Sequence, residues 1–333
     1  MAGLDAIDEF ESPWFSRALA GVLALVAIAT VASLIPGPQW WLRIFDFVLE
    51  VLLYVCLIGG VLALWADRWR WKLIAGFTLF GSMLLALIWP YVVVAPNEID
   101  LGKPEGAECF SLLTLNVLQE NDQYDRTLDL IRERDPDMLL LTETNQVWLD
   151  RLMPVLERYP QRMAEPLDNT YGMIFATRLP VQRAQMPMDR IADLPTLYAT
   201  VTIPNAGDFE LIGLHPRPPK PGEDVETRNQ NIIEAGAKTP DGLEEALAIG
   251  DFNDVPWSKT TEQFREMGNY GDPRAGRGTY PTFPSWAGKF GWPLDHIFVK
   301  GGLHVRNFAV LDDVGSDHRP LAADICMVPE SSN

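Results

Sequence analysis

Cysteine and histidine are scarce in this chain. It has 3 Cys and 4 His among 333 residues, and no two cysteines form a C-x-x-C pair. Zinc sites need closely spaced Cys and His ligands, so neither a zinc site nor a disulfide framework is indicated. Cys109 and Cys326 lie near opposite ends of the C-terminal domain and could pair. Because nothing in the sequence brings their Cα atoms within bridging distance, a disulfide is not the expected outcome.

Positive charge is also in short supply. The chain has 27 Lys and Arg against 45 Asp and Glu, which gives a formal net charge of −18. Such a chain repels a phosphate backbone unless a local basic groove or bound cations intervene. No Lys/Arg-rich stretch occurs in residues 109–333. Nucleic acid is therefore retained as an alternative partner but is not favoured.

Three long apolar runs occupy the N-terminal third, and each is close to the ~20 residues that cross a bilayer. They predict transmembrane helices at about 17–36, 44–66 and 73–95, with tryptophans at their ends as interfacial anchors. The acidic leader and the further spans argue against a cleaved signal peptide. We expect residues 1–95 to be a membrane anchor, with the lipid bilayer as its partner.

Basic residues flank the first and third runs: Arg17, Arg68, Arg70 and Lys72. The first loop has Arg43 alone, so the positive-inside rule places the N-terminus in the cytoplasm. After three spans, a linker at 96–107 leads to a C-terminal domain, which we expect outside the cytoplasm of a multi-pass plasma (inner) membrane protein. Asp46 and Glu50 either line a polar site in the membrane or lie in the headgroup region beside Arg43.

Residues 108–328 alternate short apolar strands with helical segments, followed by a tail at 329–333. Several predicted strands end in a polar residue: Asn116, Glu143, His215 and Asp251. In a layered sheet, such strand ends bring polar side chains together at one rim.

The chain carries an ordered series of short motifs: Leu115-Asn116, Thr142-Glu143, Leu214-His215, Gly250-Asp251-Phe252-Asn253, Leu294-Asp295-His296 and Gly315-Ser316-Asp317-His318. This series resembles the motif set of the endonuclease/exonuclease/phosphatase superfamily and covers about residues 109–327. The resemblance implies an α+β fold, a four-layer α/β/β/α sandwich like that of deoxyribonuclease, preceded here by three transmembrane helices. It also implies hydrolysis of phosphate esters.

The resemblance implies a metal site as well. Glu143, Asn116 and Asp317 are the expected ligands. Their hard oxygen donors suit Mg²⁺, with Mn²⁺ as a substitute. Hydrolysis of a phosphate ester needs such a cation to neutralise charge developing on the oxygens.

The same resemblance assigns catalytic roles. His318 is expected to act as general base or to stabilise the phosphoryl oxygens, with Asp295 orienting its imidazole. Asp251 is expected to position or deprotonate water, and Asn253 to donate to phosphate. His215 is expected to contact phosphate and to serve as an acid for the leaving group.

Weaker signals remain open. Tyr171 and Arg228 are candidate phosphate contacts, although a packed tyrosine or a solvated arginine explains them as well. Four aromatic residues flank the Asp251 and Asp295 motifs and either dip toward a bilayer or ligand or pack in the core: Trp257, Trp286, Phe290 and Trp292.

The sequence thus predicts a membrane-anchored, metal-dependent hydrolase of phosphodiesters or phosphomonoesters. An outward-facing domain on a membrane anchor favours a lipid or envelope head group as substrate. An extracytoplasmic endo- or exonuclease is one alternative. A non-catalytic scaffold or binding module is another, although the intact set of acid, amide and histidine residues argues against it.

Overall fold

A computed structural model describes residues 13–66, 69–188, 194–222, 225–238 and 242–329. The chain divides into two compact units, residues 1–89 and residues 90–333. Each unit has its own architecture.

The N-terminal unit is helical. Its helices are α1 (Pro13–Leu34), α2 (Trp40–Arg43), α3 (Leu49–Leu62) and α4 (Arg70–Leu87). Short 3₁₀ turns extend the middle helices into one run, so three segments are long and apolar enough to cross a membrane: Trp14–Leu34, Trp40–Trp65 and Arg70–Leu87. Among the basic residues that set the predicted orientation, Arg68 lies outside the described residues.

A buried ion pair lies at the start of the second span. Arg43 Nη1 donates to Asp46 Oδ2 at 3.0 Å, and Arg43 Nη2 donates to the carbonyl of Ile35 at 2.7 Å. Asp46 therefore lies beside Arg43, as the second of the two interpretations of this acidic pair requires.

Helix α4, which forms the third predicted span, ends earlier than the apolar run that predicts it. It ends at Leu87, whereas the run continues to Ala95. Pro90 has no N–H and disfavours helical conformation in the residue before it, so the chain leaves the helix here. The following Tyr91 is buried in the second unit, where its hydroxyl donates to the carbonyl of Pro256 and accepts from Arg265.

Residues 96–107, which the sequence indicates as a linker, are part of the second unit and make specific contacts with the rest of it. Arg277 Nη2 donates to the Ile99 carbonyl at 2.8 Å, and Gly102 N donates to the Val305 carbonyl at 3.0 Å. Glu98 forms an ion pair with Arg265. The segment is thus held against the domain that it introduces.

The described part of the second unit contains eleven strands and four α-helices. The strands are β1 (Glu108–Asn116), β2 (Met138–Thr142), β3 (Gln161–Glu165), β4 (Met173–Thr177), β5 (Val181–Gln185), β6 (Leu197–Ile203), β7 (Gly207–Leu214), β8 (Ala246–Asp251), β9 (Asp295–Lys300), β10 (Leu303–Val310) and β11 (Leu321–Met327). The helices are α5 (Tyr124–Arg134), α6 (Gln146–Leu156), α7 (Val225–Ala237) and α8 (Lys259–Gly268).

Two mixed sheets form the centre of this unit. The first has the order β10-β11-β1-β2-β4-β3 and the second the order β5-β6-β7-β8-β9. Their facing sides share one apolar core, in which Phe110 of the first sheet stacks on Phe209 of the second at 5.4 Å. Trp148 of α6 packs on the outer face of the first sheet, and Phe264 of α8 on that of the second. The predicted four-layer α/β/β/α sandwich is confirmed.

Parallel pairing positions the rim. The only parallel neighbours among the described strands are β1 with β2 and β7 with β8. Parallel strands end at the same edge, so Asn116 comes beside Thr142, and Leu214 beside Gly250. β9 runs antiparallel to β8 and begins where β8 ends, which sets Asp295 opposite Asp251.

The pairing of Cys109 with Cys326 departs from the sequence expectation. The two residues face each other across the antiparallel β1–β11 ladder and form a disulfide, with their Cα atoms 4.0 Å apart. Strand register brings them together across 217 residues of chain, and a composition-based argument cannot supply a register.

We expect this disulfide to stabilise the second unit by about 2–4 kcal/mol, because it restricts the unfolded chain over a long loop. The measurement is urea unfolding of the full-length protein in detergent, with and without reductant. A Cys109→Ser/Cys326→Ser double variant is the control, and reductant should not lower its stability further. Equal stability of the oxidised protein and the double variant would contradict the expectation.

Candidate active site

Asn116, at the end of β1, lies at the centre of the rim. Its Nδ2 donates to Glu143 Oε1 at 2.8 Å and to Asp251 Oδ2 at 3.0 Å, and its Oδ1 accepts from the Leu118 amide. The side chain is buried. One amide group thus joins the acidic residues that end β2 and β8, which belong to different sheets.

Glu143 directly follows β2 and turns its side chain toward this amide. Its backbone has a φ of +59°, a left-handed conformation that a non-glycine residue adopts at an energetic cost and that clusters at functional sites. Gly172 lies against the backbone of Thr144, the residue after Glu143. A Cβ on Gly172 would come within 1.8 Å of the Thr144 carbonyl oxygen. Glycine at position 172 therefore allows the neighbouring chain to support Glu143.

Asp251 lies where β8 ends. Its Oδ1 accepts from the Asn253 amide at 2.7 Å, and its Oδ2 lies 3.6 Å from the Nε2 atoms of both His215 and His318. Asn253 has a left-handed backbone, and its Nδ2 donates to the Pro216 carbonyl at 3.0 Å. The Asn253 amide side chain is therefore engaged with the His215 loop in this arrangement.

His318 is held by an acidic partner. Its Nδ1 lies 2.8 Å from Asp295 Oδ2, which leaves Nε2 facing Asp251. The hydroxyl of Ser316 accepts from the His318 amide and donates to the Asn116 carbonyl, so it ties the histidine loop to β1. Asp295 therefore lies where it can orient the His318 imidazole, and the catalytic roles of the two residues stay predictions.

The two histidines have opposite electrostatic environments. Burial lowers the pKa of His215 to about 4, despite the nearby Asp251. Burial acts in the same direction on His318, but Asp295 and Asp251 outweigh it and raise the pKa of His318 to about 10. These pKa shifts favour a neutral His215 and a protonated His318 at neutral pH.

Burial also shifts the pKa of the acidic groups at the rim. Burial raises the pKa of Glu143 to about 7; the Asn116 hydrogen bond opposes this, and Asp251 adds to it. Burial also raises the pKa of Asp317. Asp317 Oδ1 and Asp295 Oδ1 are buried without a hydrogen-bond partner among the residues described. A cluster of this kind favours a bound cation.

One group of buried residues has donor atoms close enough together for a divalent cation, and it differs from the ligand set that the resemblance implies. Asp251, Asp295 and His318 offer ligand atoms within 4.8 Å of one another. In that group, however, Asp295 and His318 already bind each other. Glu143 and Asp317, the ligands that the resemblance implies, are only partly buried. Both Glu143 oxygens accept a hydrogen bond, whereas Asp317 Oδ1 has no partner among the described residues. Carboxylate and amide oxygens suit a hard cation.

The two weaker candidates differ in outcome. Tyr171 is buried, and its ring lies 5.1 Å from that of His215, so it packs at the site. Arg228 is also buried, and its donors are directed to protein acceptors: the carbonyls of Arg217, Phe252 and Asn253 and the side chains of Asn229 and Asp254. The guanidinium of Arg228 therefore holds the Asp251–Asn253 loop, and its expected contact with phosphate stays a prediction.

Sequence reasoning did not assign roles to three supporting residues. Gln119 donates its amide to Glu143 Oε2, Thr282 Oγ1 accepts from the Asp295 amide, and the Phe283 ring lies 4.8 Å from that of His318. Gln119 lies three residues beyond Asn116, which was the one available signal. The other two are brought in by a loop with no motif.

A family model covers most of this unit. The model of the endonuclease/exonuclease/phosphatase family matches residues 113–318, which include every motif residue described above. The chain belongs to this family. The comparison with curated proteins found no match.

Solved structures share the family fold. A humanised D. rerio TDP2 has 15% identity and a TM-score of 0.54, over 65% of this chain and 98% of that one. A family member from Bacteroides thetaiotaomicron has 18% identity and a TM-score of 0.54, over 66% and 98%. The human Nocturnin catalytic domain, solved with a bound sulfate anion, has 18% identity and a TM-score of 0.53, over 65% and 94%. These similarities show the fold of residues in the second unit.

The raised pKa of Glu143 predicts pH-dependent metal binding. A carboxylate binds a cation only when deprotonated, so protonation below pH 7 competes with the metal. We expect the apparent Kd for Mg²⁺ to rise by up to about tenfold per pH unit below pH 7. Calorimetric titration of the full-length protein between pH 5.5 and 8 measures it. Glu143→Gln should bind weakly and lose this dependence; a constant Kd in the unsubstituted protein would contradict the assignment.

The role of Arg228 predicts a structural loss. Arg228→Met leaves the Asp254 carboxylate buried without its cation, and we expect the free energy of unfolding to fall by about 3–5 kcal/mol. Exposed Arg306→Met is the matched control, expected to stay within about 0.5 kcal/mol. Urea unfolding followed by tryptophan fluorescence compares the two. Similar losses in both variants would show that the buried pair has no special role.

Proposed function

We propose that the protein is a membrane-anchored, divalent-metal-dependent phosphoesterase. Its favoured substrate is a lipid or envelope head group carrying a phosphate ester. The observation that carries this proposal is the Asn116 bridge between Glu143 and Asp251, with His318 Nε2 3.6 Å from the Asp251 oxygen that Asn116 contacts. Acidic oxygens and a cationic imidazole around one point match the needs of phosphate-ester hydrolysis.

Mg²⁺, or Mn²⁺ in its place, would be held by Glu143 and Asp317 with Asn116, and when bound would neutralise negative charge on the phosphate oxygens. Asp251 Oδ1 accepts a hydrogen bond from the Asn253 backbone amide, and Oδ2 accepts one from Asn116 and faces the two histidines. It is therefore the group placed to orient water and accept its proton.

The charge states of the histidines divide the roles proposed for them. A protonated His318 donates from Nε2 and suits stabilisation of phosphoryl oxygens better than proton abstraction. Asp295 fixes its ring and its charge. A neutral His215 has at most one N–H to offer a phosphate oxygen and does not suit the role of acid toward the leaving group at neutral pH.

Two features support action on lipid outside the cytoplasm. Disulfides persist in oxidising compartments, and the Cys109–Cys326 bond agrees with the charge-based orientation. The net charge of −18 disfavours a polyanionic substrate, whereas the apolar helices give the enzyme constant access to a bilayer. The lipid proposal therefore ranks above the extracytoplasmic nuclease.

The test uses the full-length protein in liposomes, with Mg²⁺ or with EDTA. Its substrates are a soluble phosphodiester reporter, phospholipid in the vesicles and single-stranded DNA. Mg²⁺-dependent release from lipid but not DNA supports the proposal. Cleavage of DNA alone favours the nuclease, and no hydrolysis of any substrate favours a binding module.

Substitutions at the rim test the residue roles. We expect Glu143→Ala and His318→Ala each to lower turnover of the soluble reporter by about 10²- to 10⁴-fold, because one removes a metal ligand and the other the cationic donor. Glu262→Ala, an exposed acid on α8, is the control and should retain full activity. Unfolding curves establish that each variant is folded. Retained turnover in either rim variant would refute the proposed mechanism.

A further inference from the structure

The loop of residues 283–292 carries an exposed apolar surface, and we refer to it as the aromatic loop. Trp286 and Phe290 are 86% and 80% exposed, the highest values for large hydrophobic side chains in the part of the chain that the structure describes. Lys289 lies between them and is also exposed. Exposed aromatic side chains close together on one loop mark a surface that binds a partner.

The backbone of the aromatic loop keeps the side chains of Trp286 and Phe290 exposed. Its base is closed by the Phe283 amide, which donates to the Trp292 carbonyl at 2.9 Å, and by stacking of the two rings. At the turn between the exposed aromatics, Gly288 has a φ of +56° and a ψ of −117°, which a side chain would disfavour. The tip therefore has a defined shape, with both aromatic side chains held away from the domain core.

The base of the same loop contacts the catalytic rim. Ser285 N donates to the Asp317 carbonyl at 2.7 Å, and Ser285 Oγ donates to the Ser316 carbonyl at 2.8 Å. The Phe283 ring lies against that of His318. The aromatic tip and the proposed metal and phosphate groups are thus two ends of one connected element.

We propose that Trp286 and Phe290 insert into the interfacial layer of a lipid bilayer, with Lys289 directed to the head groups. Indole rings prefer this layer, and a lysine stem reaches from it to anionic head groups. The occupant is a bilayer because the chain carries three apolar helices of membrane-spanning length, and only Ile88 and Trp89 separate α4 from the second unit. Tethering keeps the local concentration of membrane surface high.

This inference rests on the proposed function for its purpose: a loop seated in the bilayer beside His318 presents a membrane-embedded phosphate ester to the rim. It adds a lipid-recognition surface to that site. A water-soluble substrate needs no such contact.

Fluorescence quenching tests insertion without relying on activity. Trp286→Cys and Phe290→Cys variants, made in a Cys56→Ser background, are labelled with an environment-sensitive dye and reconstituted as full chains into phosphatidylcholine/phosphatidylglycerol vesicles containing acyl-chain doxyl lipids. Met267→Cys, 60% exposed on α8, is the matched control. We expect several-fold stronger quenching at 286 and 290 than at 267.

Other outcomes identify other occupants. Quenching at 286 and 290 no stronger than at 267 overturns the proposal. A blue-shifted emission in detergent that disappears on dilution, without quenching by doxyl lipid, assigns the aromatic loop to a contact between copies and also overturns it.

A kinetic comparison then separates this inference from the proposed function. Trp286→Ser/Phe290→Ser should raise the KM for a phosphodiester lipid in vesicles several-fold and leave hydrolysis of the soluble reporter unchanged. An unchanged KM for the lipid overturns the role of the loop in substrate recognition. If the unsubstituted protein hydrolyses neither substrate, the proposed function fails, and the quenching result stands by itself.

Discussion

The rim of the second unit depends on keeping two carboxylates close together, those of Glu143 and Asp251, although they repel each other. Glu143 and Asp251 come from different sheets and share the Nδ2 group of Asn116. Burial of such a pair costs free energy unless donors and cations compensate it. The compensation comes from Asn116, from the charged His318, and from the parallel strand ends that hold all of them in place. The rest of the sandwich keeps this rim from relaxing.

Much of the fold follows from local pattern. β2 reads Met138–Thr142, entirely buried, and an uninterrupted apolar run of this length predicts a central strand. The edge strands β3 (Gln161–Glu165) and β5 (Val181–Gln185) gave no such signal, because one face of each meets solvent and their residues are largely polar. Each pairs on one side only, so its conformation is set by the neighbouring strand rather than by its own sequence.

The candidate site was likewise predictable from the sequence only in part. Strand ends and motif order indicated Asn116, Glu143 and Asp251 correctly as residues of one rim, because parallel pairing converts sequence position into spatial position. The sequence did not indicate that Arg228 holds the Asp251–Asn253 loop, because the path of that loop is set by long-range packing. The contact of Phe283 with His318 was missed for the same reason. Side-chain partners across distant segments depend on tertiary geometry that periodicity does not encode.

The disulfide has a consequence for the integrity of the polypeptide. Cys109 lies in the first strand of the second unit and Cys326 in the last. A protease that cuts any single peptide bond between them leaves both fragments in one covalent piece, with the C-terminal fragment still attached through Cys109 to the helices that precede it. A nicked molecule would therefore stay covalently joined to its N-terminal helices, whereas in a chain without the crosslink only non-covalent packing would hold the two fragments together.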